Sequence, residues 1–161
     1  MNNQCGLVLV KRILGLAMLV GVAGAQPAAA DDLKGKYCDL RTLDGLYLFS
    51  ASGFNIPATG APVPKVIAEF IRFDGEGGLT SPGASVVING VKLPASPPSA
   101  DPGVYTLGDD CVGTLAFGPP PAPAFDILVS PQGTDLVLVQ TGQPPFLGLP
   151  VMQGPAYRVS R

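Results

Sequence analysis

The fold class is decided by the stretch Val66-Ile-Ala-Glu-Phe-Ile-Arg-Phe-Asp-Gly-Glu-Gly-Gly78. Its first eight residues are mostly β-branched or aromatic, which suits the pleated surface of a strand. The glycines that flank Asp74 and Glu76 then supply residues able to take positive φ in a tight turn. The stretch therefore predicts a β-strand that runs into a hairpin turn.

Short runs of the same kind fill the chain on both sides of this hairpin, separated by Gly, Pro, Asn and Asp. This spacing is typical of antiparallel all-β domains, and no long helical period appears. The strongest two-residue turn signal is Asn89-Gly90. We predict about eight strands from nine candidate runs, which are 45–50, 66–73, 79–80 with 85–88, 91–93, 103–107, 111–117, 125–129, 134–141 and 156–159.

The first thirty residues have the pattern of a secretory signal peptide. Lys11 and Arg12 precede an apolar run of about a dozen residues, whereas a permanent membrane helix needs roughly 20. Small residues follow, and we favour cleavage after Ala30 over cleavage after Ala25. We therefore predict a signal-peptide helix at 1–30, a single domain at 31–161, no permanent membrane span and a secreted or periplasmic location; an uncleaved membrane anchor is the alternative.

The net charge limits the kinds of partner that the protein can bind, and the cysteine pair fits an oxidising compartment. Loss of Lys11 and Arg12 with the signal peptide takes the net charge from −2 to −4, which argues against a nucleic-acid partner. Cys38 and Cys111 are an even pair in a protein sent to an oxidising compartment, and they predict a disulfide.

The chain contains no histidine, which excludes Ser-His-Asp and Cys-His catalytic devices and the usual imidazole metal site. We predict no cofactor and no metal. The acidic pairs Asp74 with Glu76 and Asp109 with Asp110 lie in Gly-flanked turns, where carboxylates commonly cap their own backbone. We favour this role over general acid–base catalysis.

Glu69 and Arg72 are the most unusual charges, because they interrupt an otherwise apolar strand. Three positions apart, they point to opposite faces of a sheet, so one of them faces inward. It could anchor a ligand in an apolar cavity. We favour the alternative. In it, one of the two charges faces outward and discourages edge pairing, and the other side chain extends its aliphatic stem so that its charged end reaches solvent.

Several predicted strands are apolar on both faces. Leu46 and Leu48 alternate with Tyr47 and Phe49, and residues 136–139 repeat the pattern. A half-solvated sheet would show polar residues at every second position. We therefore expect a homo-oligomer or a small apolar ligand to cover the second face.

Four segments in this order resemble a group of small exported bacterial proteins related to the calycins and to allene-oxide-cyclase-type barrels. They are Gly45-Leu-Tyr47, Phe73-Asp-Gly-Glu-Gly77, Tyr105-Thr106 and Asp110-Cys-Val-Gly-Thr114. The resemblance implies an antiparallel up-and-down β-barrel.

The same resemblance implies roles for two residues. Tyr47 would stand where lipocalins carry a Trp, and Arg158 would stack over it in a structural role; a solvated Arg158 is the alternative. We name Tyr47, Glu69 and Arg72 as candidate ligand-binding residues. The sequence favours an exported, non-catalytic protein that binds a small apolar ligand; an allene-oxide-cyclase-type isomerase or cyclase, and an interaction protein that uses its outer face, stay open.

Overall fold

The computed structural model describes residues 37–94 and 102–161. In these residues nine strands and two short 3-10 helices follow one another, and every strand pairing is antiparallel. The helices are Leu40–Thr42 and Pro145–Leu147. The strands are β1 Asp44–Ile56, β2 Val63–Asp74, β3 Gly78–Ile88, β4 Val91–Lys92, β5 Gly103–Leu107, β6 Val112–Ala116, β7 Ala124–Val129, β8 Asp135–Gly142 and β9 Leu149–Ser160.

Eight of these strands close into a barrel. Each pairs with its neighbours in chain order, β1 pairs with both β2 and β9, and β3 pairs with both β2 and β5. The remaining strand, β4, folds back on the end of β3 through the Asn89-Gly90 turn and lies outside this ring. The prediction of an all-β, antiparallel up-and-down barrel of about eight strands is confirmed.

The barrel has two ends of different character. At the disulfide end lie the first 3-10 helix and the turns 75–77, 108–111 and 130–134. At the far end lie the loops 57–62, 117–123 and 143–148. The predicted signal peptide lies outside the described residues. Within them, neither helix has the length and hydrophobicity that crossing a membrane would require.

Strand β3 leaves the barrel wall at the far end. Only Gly78 and Leu79 pair with β5, while the rest of the strand pairs with β2 and β4. Ala84 and Val86 belong to the part of β3 that does not pair with β5. They lie on the same face as Glu69 and Ile67 of β2, and Ala84 and Val86 are only half-buried.

Three strands differ in extent from the prediction. Strand β1 continues from Ser50 to Ile56, β3 continues through Pro82, and β9 begins at Leu149 instead of Ala156. Proline removes one ladder hydrogen bond, so it is tolerated where the pairing is irregular. The register shift between β2 and β3 lies opposite Pro82, and the β1–β9 ladder is interrupted opposite Pro155.

The interior of the disulfide half is filled by large side chains. Alternate residues of the strands turn inward, as the burial pattern of β1 and β7 shows. The largest fully buried residues are Tyr47, Phe49, Phe73, Phe125, Leu43, Ile71, Leu115, Ile127 and Leu138. This half of the barrel is a packed core.

Candidate functional site

Tyr47 and Arg158 close the disulfide end together. The Tyr47 hydroxyl donates to the carbonyl of Gly133, and Arg158 Nε donates to the same hydroxyl at 2.9 Å. The second arm of the guanidinium donates to the Thr42 carbonyl at 2.8 Å, and its carbon lies 5.4 Å from the Tyr47 ring centre. Burial raises the pKa of Tyr47 despite the nearby cation.

A second tyrosine ties the first 3-10 helix to the core. Tyr105 Oη lies 2.8 Å from the Leu40 carbonyl and 3.0 Å from the Leu43 carbonyl. Burial raises its pKa to about 12, so the hydroxyl stays a donor throughout the physiological range. Phe73 packs edge-on between Tyr105 and Tyr47, with ring centres 5.0 and 5.2 Å away.

The predicted disulfide between Cys38 and Cys111 is present. Both cysteines are buried, and their Cα atoms are 5.1 Å apart. The bond links the segment before β1 to the turn before β6, across 73 residues of sequence. It holds the segment before β1 against the barrel. We call this segment, which lies over the disulfide end, the covering segment.

The far half of the interior is different, because it buries four polar side chains. Asn55, Lys65, Glu69 and Gln140 are all less than 8 % exposed. We call these four residues the polar cluster. Such groups are rarely buried unless they are paired, since removing them from water is unfavourable. The cluster is therefore the candidate functional site.

The strand register explains how the polar cluster forms. Lys65 lies opposite Gly53 of β1. A Cβ atom at Gly53 would clash with the Val151 carbonyl and with Met152, so this glycine permits the close approach of β9. Asn55 lies one inward step further along β1, a diagonal neighbour of Lys65 at roughly 7–8 Å between Cα atoms. Glu69 lies deeper, opposite Phe49, where the aromatic core begins.

Lys65 is held by amide oxygens. Its ammonium donates to Gln140 Oε1 at 3.1 Å and to Gln143 Oε1 at 3.4 Å. Gln143 in turn donates to the carbonyl of Gly148 at 2.8 Å, which fixes the loop between β8 and β9. Burial lowers the pKa of Lys65, and the Glu69 carboxylate opposes this effect through space.

Glu69 has the opposite response to burial. Burial raises the pKa of Glu69, while a hydrogen bond from Ser81 and the charge of Lys65 lower it. The environment of the polar cluster therefore penalises the charged form of both groups. Chemically, the cluster offers a carboxyl and an ammonium that are both buried.

Asn55 completes the polar cluster. Its side chain is 3 % exposed, and its Oδ1 atom has no hydrogen-bond partner among residues 37–94 and 102–161. An unpaired buried acceptor costs about 1–3 kcal/mol and is rare in native proteins, so this atom marks a position where a hydrogen-bond donor would be stabilised.

The three candidate ligand-binding residues do not come together. Glu69 belongs to the polar cluster, Tyr47 lies in the hydrogen-bonded closure of the disulfide end, and Arg72 points outward and is exposed. Sequence reasoning missed Asn55 and Lys65, although the alternation Lys65, Ile67, Glu69 already places Lys65 on the same face as Glu69.

The acidic pairs in the turns bind backbone. Asp74 Oδ1 accepts from the amides of Glu76 at 2.8 Å and Gly78 at 2.9 Å. These hydrogen bonds outweigh desolvation and lower the pKa of Asp74. Asp110 Oδ1 accepts from the Val112 amide at 3.1 Å in the same way. Both contacts are those of turn-capping carboxylates.

The raised pKa of Glu69 makes a pH-dependent contribution to stability. The folded-state pKa lies above the ordinary value of 4.5, so this contribution is present below pH 4.5 and is lost as the pH rises through the folded-state pKa. Glu69→Gln resembles the protonated form. We expect it to raise Tm by about 5 °C at neutral pH and to have little effect below pH 4.5.

Calorimetric melting of both proteins across this range measures the effect. The control is Glu76→Gln, which removes an exposed carboxyl from a turn. An equal Tm difference between Glu69→Gln and wild type at every pH would contradict the assigned cause.

Comparisons with known proteins found no matching family model, no matching curated protein and no matching solved structure.

Proposed function

We propose that this protein is an exported, non-catalytic barrel that binds a small amphipathic molecule at the far end. The ligand's polar head would lie between Lys65 and Asn55. Its apolar part would lie along the half-buried inner residues Ile67, Val86 and Phe117. The observation that carries this proposal is the buried Asn55 Oδ1, which has no partner in the described part of the chain. It lies on the strand next to Lys65, a buried cation that donates to the neutral amides of Gln140 and Gln143.

The energetics of the polar cluster support a binding role over a structural one. A buried polar group that served stability alone would be fully hydrogen-bonded, because each unpaired atom reduces stability. Ligand pockets, in contrast, are apolar enclosures with a few polar groups that fix the orientation of the ligand. A head group that accepts from Lys65 and donates to Asn55 would satisfy both residues. A hydroxyl does this, and so does a carboxylate that takes up a proton when it binds.

Binding can be tested with three twelve-carbon probes that differ only in the head group: dodecanoate, dodecanol and dodecylammonium. We expect calorimetric titration below the micelle concentration to show binding of the first two. We expect no binding of dodecylammonium, because a second cation would lie beside Lys65. Dodecanoate and dodecanol that also fail to bind would overturn the proposal.

Lys65→Met separates binding from stability. The variant removes the ammonium and keeps an apolar stem, so we expect about a tenfold loss of dodecanoate affinity together with an unchanged or higher Tm. The matched control is Lys92→Met, which alters an exposed lysine of β4. A lower Tm with unchanged affinity would instead assign Lys65 a purely structural role.

A second candidate function is an isomerase or cyclase of the allene-oxide-cyclase type. The raised pKa of Glu69 favours it, because a carboxyl that stays protonated nearer neutral pH can donate a proton to a bound substrate. In that case Glu69→Gln would abolish turnover without loss of binding.

Export is the remaining part of the proposal. It is supported by the signal-like pattern of residues 1–30 and by the disulfide, which is the bond expected in an oxidising compartment. Mass determination of the protein recovered outside the cytoplasm should give an N-terminus at Asp31. An intact N-terminus on that material would contradict cleavage.

A further inference from the structure

The side chain of Lys65 is a buried amine whose hydrogen-bond partners in the described part of the chain are neutral. Its nitrogen donates to Gln140 Oε1 at 3.1 Å and to Gln143 Oε1 at 3.4 Å, and the residue is 6 % exposed. Lysine is almost never fully buried unless it is paired with an opposite charge. A buried lysine whose direct partners are neutral is well suited to act as a nucleophile, because burial favours the uncharged amine.

The charged group that faces Lys65 is Glu69, which lies four residues further along β2, roughly 13 Å away between Cα atoms. Burial lowers the pKa of Lys65, and the Glu69 carboxylate opposes this effect only in part. The strands beside β2 present uncharged side chains to Lys65, which are Asn55 from β1 and Ile88 from β3. The neutral amine is therefore present at a lower pH than in an ordinary exposed lysine.

The hydrogen bonds of Lys65 leave its lone pair available. A neutral amine has two N–H groups and one lone pair, and the oxygens of Gln140 and Gln143 can accept from both N–H groups. The lone pair then stays free to attack a carbonyl carbon. Asn55 Oδ1, which has no partner among the described residues, can accept from the hydroxyl group that this addition creates.

We propose that Lys65 captures a long-chain aldehyde as a covalent imine. This inference rests on the proposed function, because the aldehyde must enter the far end as the other amphipathic ligands do. The lone pair of the amine attacks the carbonyl carbon, a C–N bond forms, and the oxygen takes one proton from the nitrogen. The C–O bond then breaks, and the hydroxyl group leaves with the second nitrogen proton as water.

The imine also fits the partners of Lys65. The proton that the ammonium released at the start returns to the imine nitrogen, so an ammonium and an aldehyde give a protonated imine and water. The remaining N–H donates to Gln140 Oε1, while Gln143 Oε1 keeps the donor that it has in Gln140 Nε2 at 3.4 Å. Exclusion of water from a buried imine slows its hydrolysis. The capture is stoichiometric and needs no further reactant.

Reductive trapping tests the proposal, with dodecanal and sodium cyanoborohydride added to protein purified after expression of the full chain. Peptide mapping by mass spectrometry measures the rate at which each lysine gains a dodecyl group. At neutral pH we expect Lys65 to react about tenfold faster than Lys92, since each unit by which a pKa falls raises the neutral fraction about tenfold. Lys92 is the matched control because it is exposed. An excess of dodecanol should slow the labelling of Lys65 alone, because the two molecules occupy one site.

Gln140→Glu tests the origin of the reactivity. The variant keeps the amine of Lys65 and places a carboxylate beside it, which favours the ammonium. We expect the labelling of Lys65 at neutral pH to fall about tenfold and to recover as the pH rises. The matched control is Gln153→Glu, which adds the same charge at an exposed position of β9.

The outcomes separate this inference from the proposed function. Calorimetric binding of dodecanol without a trapped adduct at Lys65 overturns the covalent capture and leaves the proposed function intact. Equal labelling rates at Lys65 and Lys92 also overturn the capture, and so does a wild-type labelling rate in Gln140→Glu. Failure of dodecanol to bind, together with no adduct at Lys65, overturns both.

Discussion

Removal of the Cys38–Cys111 bond is expected to lower the free energy of unfolding by about 4 kcal/mol. The bond closes a loop of 73 residues that contains β1 to β5, and a cross-link over such a length restricts the unfolded chain strongly. For a domain of this size the loss corresponds to a fall in Tm of about 15 °C. Urea unfolding of the Cys38→Ser/Cys111→Ser variant beside the oxidised wild type measures it.

Reduction provides the control for this prediction. Dithiothreitol should shift the urea midpoint of the wild type toward that of the double variant and leave the double variant unchanged. A double variant as stable as the oxidised wild type would show that the covering segment is held by its hydrogen bonds alone, such as those from Tyr105 to Leu40 and Leu43.

Phe73→Ala is expected to destabilise the fold by about 3–5 kcal/mol. Phe73 is 1 % exposed and packs edge-on against both tyrosines of the disulfide end. Its truncation leaves a cavity and removes the surface that orients Tyr47 and Tyr105, so the near-ultraviolet circular dichroism should weaken as well. Denaturant unfolding measures the energy.

Phe146→Ala is the matched control for Phe73→Ala. Phe146 is 85 % exposed in the second 3-10 helix, so its truncation should change stability by less than about 0.5 kcal/mol. Equal losses for the two variants would show that the aromatic packing at the disulfide end contributes nothing specific.

Residue pattern alone predicted the strand content of this protein. The turns at Asp74–Gly78 and Asn89-Gly90 have local chemistry that fixes a hairpin wherever it occurs, and both are present. The extents of β1 and β9 were wrong because Ser, Gly and Pro residues end a strand only when the neighbouring strand does not hold them. Long-range pairing between β1 and β9 holds them here.

The polar cluster was predictable only in part. Glu69 was identified because a charge inside an apolar strand is locally unusual. Gln140 was missed because its partner Lys65 lies 75 residues away, and no local pattern links them. The role of Gly53 also depends on a long-range pairing, since the β9 backbone that approaches it is distant in sequence.

The β1–β9 pairing has a consequence for synthesis. Strand β9 is the last of the nine described strands to leave the ribosome, so one edge of β1 stays unpaired while the eight other strands are already available. Long-range pairing of this kind is slow and leaves edges open to incorrect contacts. Until β9 emerges, the nascent chain therefore exposes that edge of β1 to edge-to-edge association.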